Sequence, residues 1–154
     1  MRIISKLAAL IILAGLCFGQ QSSAATPNAD NPALAKIDGM KAQAEKKNSA
    51  DRARIYADIA RELVEIANQQ FTDGDAEKAQ SSIKDAVTYS EKSAASAQEK
   101  GKKIKDTEIT LRVTARRIEE VRRTVAVDDQ PPLAAAVTRI EELRRQLLDQ
   151  MFRK

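Results

Sequence analysis

One hydrophobic stripe with a seven-residue period constrains this sequence more than any other feature. It runs without a break from Ala76 to Ala126, and its positions are apolar or small: Ile83, Ser90, Ala97, Ile104, Leu111, Ile118 and Val125. Side chains at this spacing lie along one face of an α-helix. The stripe therefore predicts a long central helix on which the rest of the chain packs.

The composition favours helices over sheets. Of the 154 residues only 3% are aromatic, and there are 5 glycines and 4 prolines, whereas strands are rich in aromatic and β-branched residues. We predict an all-α fold of antiparallel helical hairpins that share the long central helix. The alternative is an up-down four-helix bundle in which the chain turns at Gly101. The unbroken phase across Gly101 favours the continuous helix, because a loop need not preserve helical phase.

The first 25 residues are typical of a signal peptide. Arg2 and Lys6 supply positive charge, residues 7–19 form an apolar run, and Ser23-Ala24-Ala25 offers the small residues of a cleavage site. The run is shorter than the ~20 residues that a membrane span needs. We therefore predict cleavage near Ala25, export to the periplasm or the cell exterior, and no integral membrane span in the mature chain.

The remaining chain divides into two predicted parts. Residues 26–48 are expected to form a leader and a weak N-terminal helix, in which Gly39 costs about 1 kcal/mol relative to Ala. Residues 49–154 are expected to form the helical hairpin or bundle domain. Its first hairpin turns at Gly74, which can adopt the left-handed conformation, and Asp75 is expected to cap the next helix through its carboxylate.

The hairpin around Gly74 resembles a single tetratricopeptide-type unit. The residues at that repeat's spacing are Leu63, Ile66, Ala67, Gly74, Asp75, Ala79, Ile83 and Ala86. The resemblance implies an antiparallel helix pair, but no second copy follows at the ~34-residue period. As a whole the chain is similar to uncharacterised secreted helical proteins of bacteria, and that resemblance implies no activity.

A second break is predicted between Val127 and Pro132, with an aspartate of this segment as a cap and the prolines in the first turn of the last helix. The two predicted helices that flank this break carry a near-repeat, Arg-Ile-Glu-Glu-Val-Arg-Arg at 117–123 and Arg-Ile-Glu-Glu-Leu-Arg-Arg at 139–145. One interpretation is an old duplication. The other is convergent composition, because the arms of helical hairpins use few residue types.

Four apolar residues lie off the predicted helix seams and form a candidate contact patch: Ile109, Val113, Leu148 and Phe152. Exposed apolar patches usually mark a contact. If the first helix runs back continuously, Leu34, Ile37 and Met40 are expected to cover the patch as a lid. Alternatively, the chain breaks at Gly101 and the four-helix bundle makes the patch internal. A patch left uncovered is the candidate surface for a protein partner or a second copy of the chain.

Four basic residues fall within a narrow arc of one helix face and form a candidate anion-binding stripe: Lys105, Arg112, Arg116 and Arg123. An anionic envelope polymer, lipid headgroups or an acidic protein would suit such a stripe. The same pattern is also typical of a solvated face that is partly paired with Glu119 and Glu120.

The sequence offers few groups for catalysis. It contains no histidine, and its one cysteine, Cys17, lies in the predicted signal peptide. Histidine-based acid–base chemistry, thiol chemistry and the usual zinc sites are therefore excluded in the mature chain, and no glycine-rich phosphate loop occurs. We predict no enzyme activity, no cofactor and no metal site. Without residues 1–25 the chain has 24 basic and 22 acidic residues, a net charge of +2, and the charge difference between its halves is too mild to indicate a nucleic-acid partner.

These observations predict a non-enzymatic exported helical protein that acts by protein–protein contact, as a structural or adaptor module. One alternative is a periplasmic chaperone of the holdase type, which would suppress the aggregation of unrelated unfolded clients. Another is a protein that binds anionic envelope polymer or lipid through the basic stripe, with an affinity that falls steeply with salt.

Overall fold

A computed structural model describes residues 32–153. The predicted signal peptide, residues 1–25, and the start of the leader lie outside the described residues. The described chain contains five α-helices, a short 3-10 turn at Val127–Asp129 and no strand. The α-helices are α1 Pro32–Glu45, α2 Ser49–Thr72, α3 Ala76–Lys100, α4 Ile104–Arg122 and α5 Gln130–Phe152. The all-α prediction is confirmed.

Helices α2 to α5 form a four-helix bundle. The antiparallel pairs are α2 with α3 and α4 with α5, whereas α2 lies parallel to α4 and α3 lies parallel to α5. The antiparallel register of α2 and α3 shows in a bond from the Ser93 hydroxyl to the Ala53 carbonyl, 2.7 Å long. The order around the bundle is therefore α2, α3, α5, α4. The largest fully buried side chains at its centre are Ile59, Ile83, Leu111, Ile118, Leu133, Ile140 and Leu147.

The prediction of a continuous central helix is wrong, because the chain breaks at Gly101. Helix α3 ends at Lys100, and Gly101 takes the left-handed conformation with φ +64°. Lys103 is also left-handed, and α4 begins at Ile104. The stripe keeps its phase because residues on both sides of the break, such as Ala97 and Ile104, are buried in one core. The polar residues 99–103 have little to bury, so the break lets α4 fold back onto α5 and α2.

Helix α1 is separate from α2 and packs on its outer side. The Asn48 side chain starts α2 by accepting bonds from the backbone of Ala50 and Asp51, at 3.0 and 3.1 Å. Ile37 of α1 is buried, and Lys36 reaches Glu62 of α2 at 2.9 Å. The predicted lid over Ile109 is therefore wrong, because the Asn48 cap reverses the chain and directs α1 along α2 instead of α4.

Both predicted hairpin turns are present. Gly74 is left-handed with φ +82°, as expected, but the Asp75 side chain makes no cap bond and pairs with Lys78 at 3.0 Å. The capping role predicted for the Asp75 carboxylate is therefore wrong. At the second turn α5 begins at Gln130, with its prolines in the first turn as predicted. The predicted aspartate cap is wrong, because the side chain of Asp129, which precedes α5, makes no cap bond.

Candidate interaction surface

The outward face of α4 is the surface that the sequence singled out most strongly. The inward face of this helix is apolar, with Leu111, Ile118 and Val121 buried. The outward face is exposed along its whole length, and it carries both aliphatic and basic side chains: Lys105, Ile109, Arg112, Val113, Arg116 and Arg123. We refer to these six residues as the α4 face.

Two aliphatic side chains stand one turn apart on the α4 face. Ile109 is 38% exposed and Val113 is 48% exposed. Fully burying an aliphatic side chain of this size is worth about 1.5–3 kcal/mol. Because each side chain is only partly exposed, about half of that free energy remains available to a partner.

The other two residues of the candidate contact patch lie toward a different part of the bundle. Glu108 of α4 contacts Arg144 of α5, which sets the register of these antiparallel helices. Leu148, one turn beyond Arg144, is then level with the start of α4 and is partly buried. Phe152 is 76% exposed and lies at the end of α5, where its neighbours Gln150 and Met151 line a groove with residues 101–106. Binding by the patch stays a prediction.

The basic stripe is half neutralised within the protein. Arg116 pairs with Glu120 at 3.2 Å, and Arg123 pairs with Glu119 at 3.4 Å. Lys105 and Arg112 have no carboxylate partner among the described residues. These two cations flank Ile109 on the α4 face. The positive charge that is free to meet a partner is therefore concentrated beside the exposed aliphatic residues.

Glu119 is the most strongly perturbed carboxylate near this surface. Its hydrogen bonds with Arg122, both 2.7 Å long, are the main reason that the pKa of Glu119 falls to about 2, and Arg123 adds to the effect. Glu119 therefore stays ionised at any physiological pH. Glu119 pairs with both arginines at the end of α4, and its single negative charge offsets one of their two positive charges.

Ion pairs between helices are the contacts that sequence analysis missed. Arg144 is largely buried and contacts both Glu108 of α4 and Glu141 of α5. Burial alone would lower the pKa of Arg144, but its hydrogen bonds with Glu141 and Glu108 outweigh that effect and raise the pKa. Glu141 lies three residues before Arg144 on the same helix, a spacing at which side chains meet. The Glu108 contact depends on packing between helices that periodicity does not reveal.

A shallow apolar groove of about 610 Å³ runs between the parallel helices α3 and α5. Ile83, Val87 and Ala136 line its floor, and Lys84, Glu77 and Arg139 stand at its rim. The groove exists because small residues such as Ala135 and Ala136 face α3 across the gap. Its rim contains charges of both signs, so it offers no charge preference to a ligand.

The described residues offer neither a cluster suited to a metal ion nor a helix suited to crossing a membrane. Within residues 32–153, no group of three or more carboxylates is placed so that it could hold a metal ion. None of the helices in that range is both long enough and apolar enough to cross a membrane.

Comparison with known proteins finds no matching family model, no similar curated protein and no similar solved structure. The function therefore has to be inferred from the side chains of this chain alone.

Proposed function

We propose that this protein is exported and acts without catalysis, as a module that binds a protein partner through the α4 face. The observation that carries the proposal is the pairing of Ile109 and Val113, both exposed, with the unpaired cations Lys105 and Arg112. The partner surface expected from this chemistry has an apolar centre bordered by carboxylates.

The scaffold supports this role because it holds the α4 face rigid. The inward side of α4 packs into the bundle core through Leu111 and Ile118, which are fully buried. Arg117 anchors the α2 side of α4 through Glu65. A partner would therefore meet a preorganised surface, which lowers the entropy cost of binding.

Site-specific photocrosslinking in the cells that make the protein tests this proposal. A photoreactive phenylalanine analogue is placed at Val113 of α4, and at Thr138, an exposed residue of α5, as the control. We expect a discrete adduct from position 113 and none from position 138. The adduct should disappear when Arg112→Glu is added.

The same experiment can contradict the proposal. Equal adducts from both positions would indicate non-specific proximity, and no adduct from position 113 would show that the α4 face has no partner. The mass of the protein recovered from those cells tests export separately, because a chain that lacks residues 1–25 is expected.

A second candidate function is the binding of an anionic envelope polymer. It is favoured by the pairing of the basic stripe: within residues 32–153 no carboxylate pairs with Lys105 or Arg112, whereas Glu120 pairs with Arg116 and Glu119 with Arg123. Binding of this kind depends on charge and falls with salt, whereas the apolar contact of Ile109 and Val113 does not.

A further inference from the structure

The two ends of the bundle carry opposite charge. One end consists of the α1–α2 turn at 46–48, the α3–α4 connection at 100–106 and the end of α5 at 149–153. It has seven cationic side chains and two acidic ones, and we call it the basic end. Its location follows from the contacts of Gln150 with Gln98 and of Arg52 with Glu99, which bring these segments together.

The opposite end consists of the α2–α3 turn at 73–78 and the α4–α5 connection at 123–129. It has five acidic side chains and two cationic ones, and we call it the acidic end. Both of its cations are already paired, Lys78 with Asp75 and Arg123 with Glu119. A hydrogen bond between Gln80 and Asp129, 2.8 Å long, holds the two segments side by side.

The two most exposed large apolar side chains of the described chain also stand at opposite ends. Phe152 at the basic end is 76% exposed, and Val127 at the acidic end is 78% exposed. Beside Val127, a pocket of about 300 Å³ opens between the two turns. Phe71, Val125 and Ala126 provide its apolar lining, and Asp129 stands at its edge.

We propose that copies of this chain associate head to tail, with the basic end of one copy on the acidic end of the next and Phe152 seated in the pocket beside Val125. Charge complementarity selects this arrangement over a symmetric one, because two basic ends or two acidic ends would place like charges together. A heterologous contact of this kind leaves a free end on each copy, so it extends into short chains. It uses neither Ile109 nor Val113. Lys105 belongs to both surfaces, and the variants described below leave Lys105 unchanged, so failure of this proposal can be distinguished from failure of the proposed function.

The size of the contact sets its strength. A helix with its side chains is about 10 Å across, so the end of four packed helices presents about 400 Å². Contact between two ends then buries about 800 Å² in total, less than the roughly 1,200 Å² of a stable interface. The association is therefore weak, depends on concentration, and weakens as salt screens the two ends.

Sedimentation velocity of residues 26–154 tests the proposal across a concentration series from about 5 µM to about 1 mM. At about 0.02 M salt we expect the weight-average mass to rise at least about twofold across the series, and at about 0.5 M salt to stay near the monomer mass. Phe152→Ser should shift the rise to at least about tenfold higher concentration, because it removes the apolar anchor of the contact.

Charge reversal at each end sharpens the test. Lys47→Glu with Lys102→Glu reverses two charges at the basic end, and Glu77→Lys with Asp128→Lys reverses two at the acidic end. Each double variant alone should associate more weakly than the unaltered protein, because the basic end falls from +5 to +1 in the first and the acidic end rises from −3 to +1 in the second. An equimolar mixture should form dimers and stop there, because one unaltered basic end meets one unaltered acidic end. The control, Lys84→Glu with Arg145→Glu, makes the same change in net charge as the basic-end variant on the sides of the bundle and should associate like the unaltered protein.

Three results would overturn the proposal. The first is a protein that stays monomeric at every concentration in low salt. The second is a mixture of the two variants that forms no dimer although both retain the helical circular dichroism of the unaltered protein. The third is a monomer that sediments with phosphatidylglycerol vesicles and loses that binding in the basic-end variant, which would assign this end to an anionic membrane.

Discussion

Arg117 on α4 and Glu65 on α2 meet through two bonds, with an Nε–Oε1 distance of 2.8 Å and an Nη2–Oε2 distance of 2.9 Å. Arg139 holds the equivalent position on α5 and contacts Glu91 of α3 at 2.7 Å. Each arginine also reaches the second glutamate of its own near-repeat, three residues along the helix. The two copies of the heptapeptide therefore link the parallel pairs α2/α4 and α3/α5 in the same way.

Removal of the Arg117–Glu65 contact is expected to lower the free energy of unfolding only modestly. Both side chains are partly exposed, and ion pairs in such positions contribute up to about 1 kcal/mol. A double-mutant cycle of Arg117→Met and Glu65→Gln, measured by urea unfolding, should give a coupling free energy of about 0.5–1 kcal/mol. Arg116 and Glu120 provide the control, because Arg116 is largely exposed. Their coupling should be below about 0.3 kcal/mol, and a larger value for this pair would contradict the prediction.

Stability should fall in acid as paired glutamates become protonated. Hydrogen bonds with Arg117 lower the pKa of Glu65, and hydrogen bonds with Arg122 lower the pKa of Glu119 to about 2. A carboxylate whose pKa is lower in the folded state stabilises that state above its unfolded pKa, near 4.5. The contribution should therefore be intact at neutral pH and lost as the pH falls from about 4.5 toward about 2.

Nuclear magnetic resonance titration of the Glu119 side chain checks this prediction directly. A midpoint near 2 is expected in the unaltered protein. Arg122→Met should move the midpoint up toward 4.5, because it removes the main hydrogen-bond donor. A midpoint that does not respond to this substitution would show that the pair is absent in solution.

Substitution of Gly101 by alanine is expected to destabilise the protein, whereas the same substitution at Gly39 is expected to stabilise α1. A Cβ atom at Gly101 would meet nothing within 4 Å, but φ is +64° there, and an L-residue in that conformation costs about 1–2 kcal/mol. Gly101→Ala should therefore lower the free energy of unfolding by about 1 kcal/mol. Gly39 is the control, because it also has open space and lies inside α1. Gly39→Ala should raise the local stability of α1 by about 0.5–1 kcal/mol, measured by amide hydrogen exchange.

Gly101 also shows which part of the fold the sequence could and could not predict. The apolar stripe correctly indicated which residues of α3 and α4 face the core, since Ile83, Leu111 and Ile118 are all buried. Periodicity does not report where the chain reverses when both helices contribute to one core. The polar run from Glu99 to Lys103 was the better signal for the break, because it offers little to bury.

For a similar reason, the sequence predicted some features of the candidate surfaces and missed others. Periodicity placed Ile109 and Val113 off the seam, and both are exposed. It did not reveal that Phe152 lies with the residues of the α3–α4 connection, because that depends on the register of α4 against α5. The pairing of Arg116 and Arg123 follows from spacing of four residues along α4. The contacts of Arg117 and Arg139 with other helices need the three-dimensional packing.

Replacement of Thr107 by valine is expected to stabilise the folded protein. Its side chain is buried, and its hydroxyl has no hydrogen-bond partner among residues 32–153. A buried hydroxyl without a partner costs about 1–3 kcal/mol, so Thr107→Val should raise the free energy of unfolding by about 1 kcal/mol. Thr114 is the control, because it is equally buried but donates to the Thr110 carbonyl at 3.0 Å. Thr114→Val should lower the free energy of unfolding by about 0.5–1 kcal/mol, and equal effects at both sites would contradict the prediction.

Binding of an anionic polymer is expected to depend on Lys105 and Arg112 more than on the paired arginines. Inorganic polyphosphate serves as the probe, and its affinity can be measured by titration calorimetry. Lys105→Gln with Arg112→Gln should lower the affinity at least about tenfold, because neither cation has a carboxylate partner in the described part of the chain. Arg116→Gln with Glu120→Gln removes a neutralised pair without a change in net charge, and it should leave the affinity within about twofold. If the two double variants lose affinity equally, or if the affinity persists at about 0.5 M salt, the unpaired cations are not the binding site.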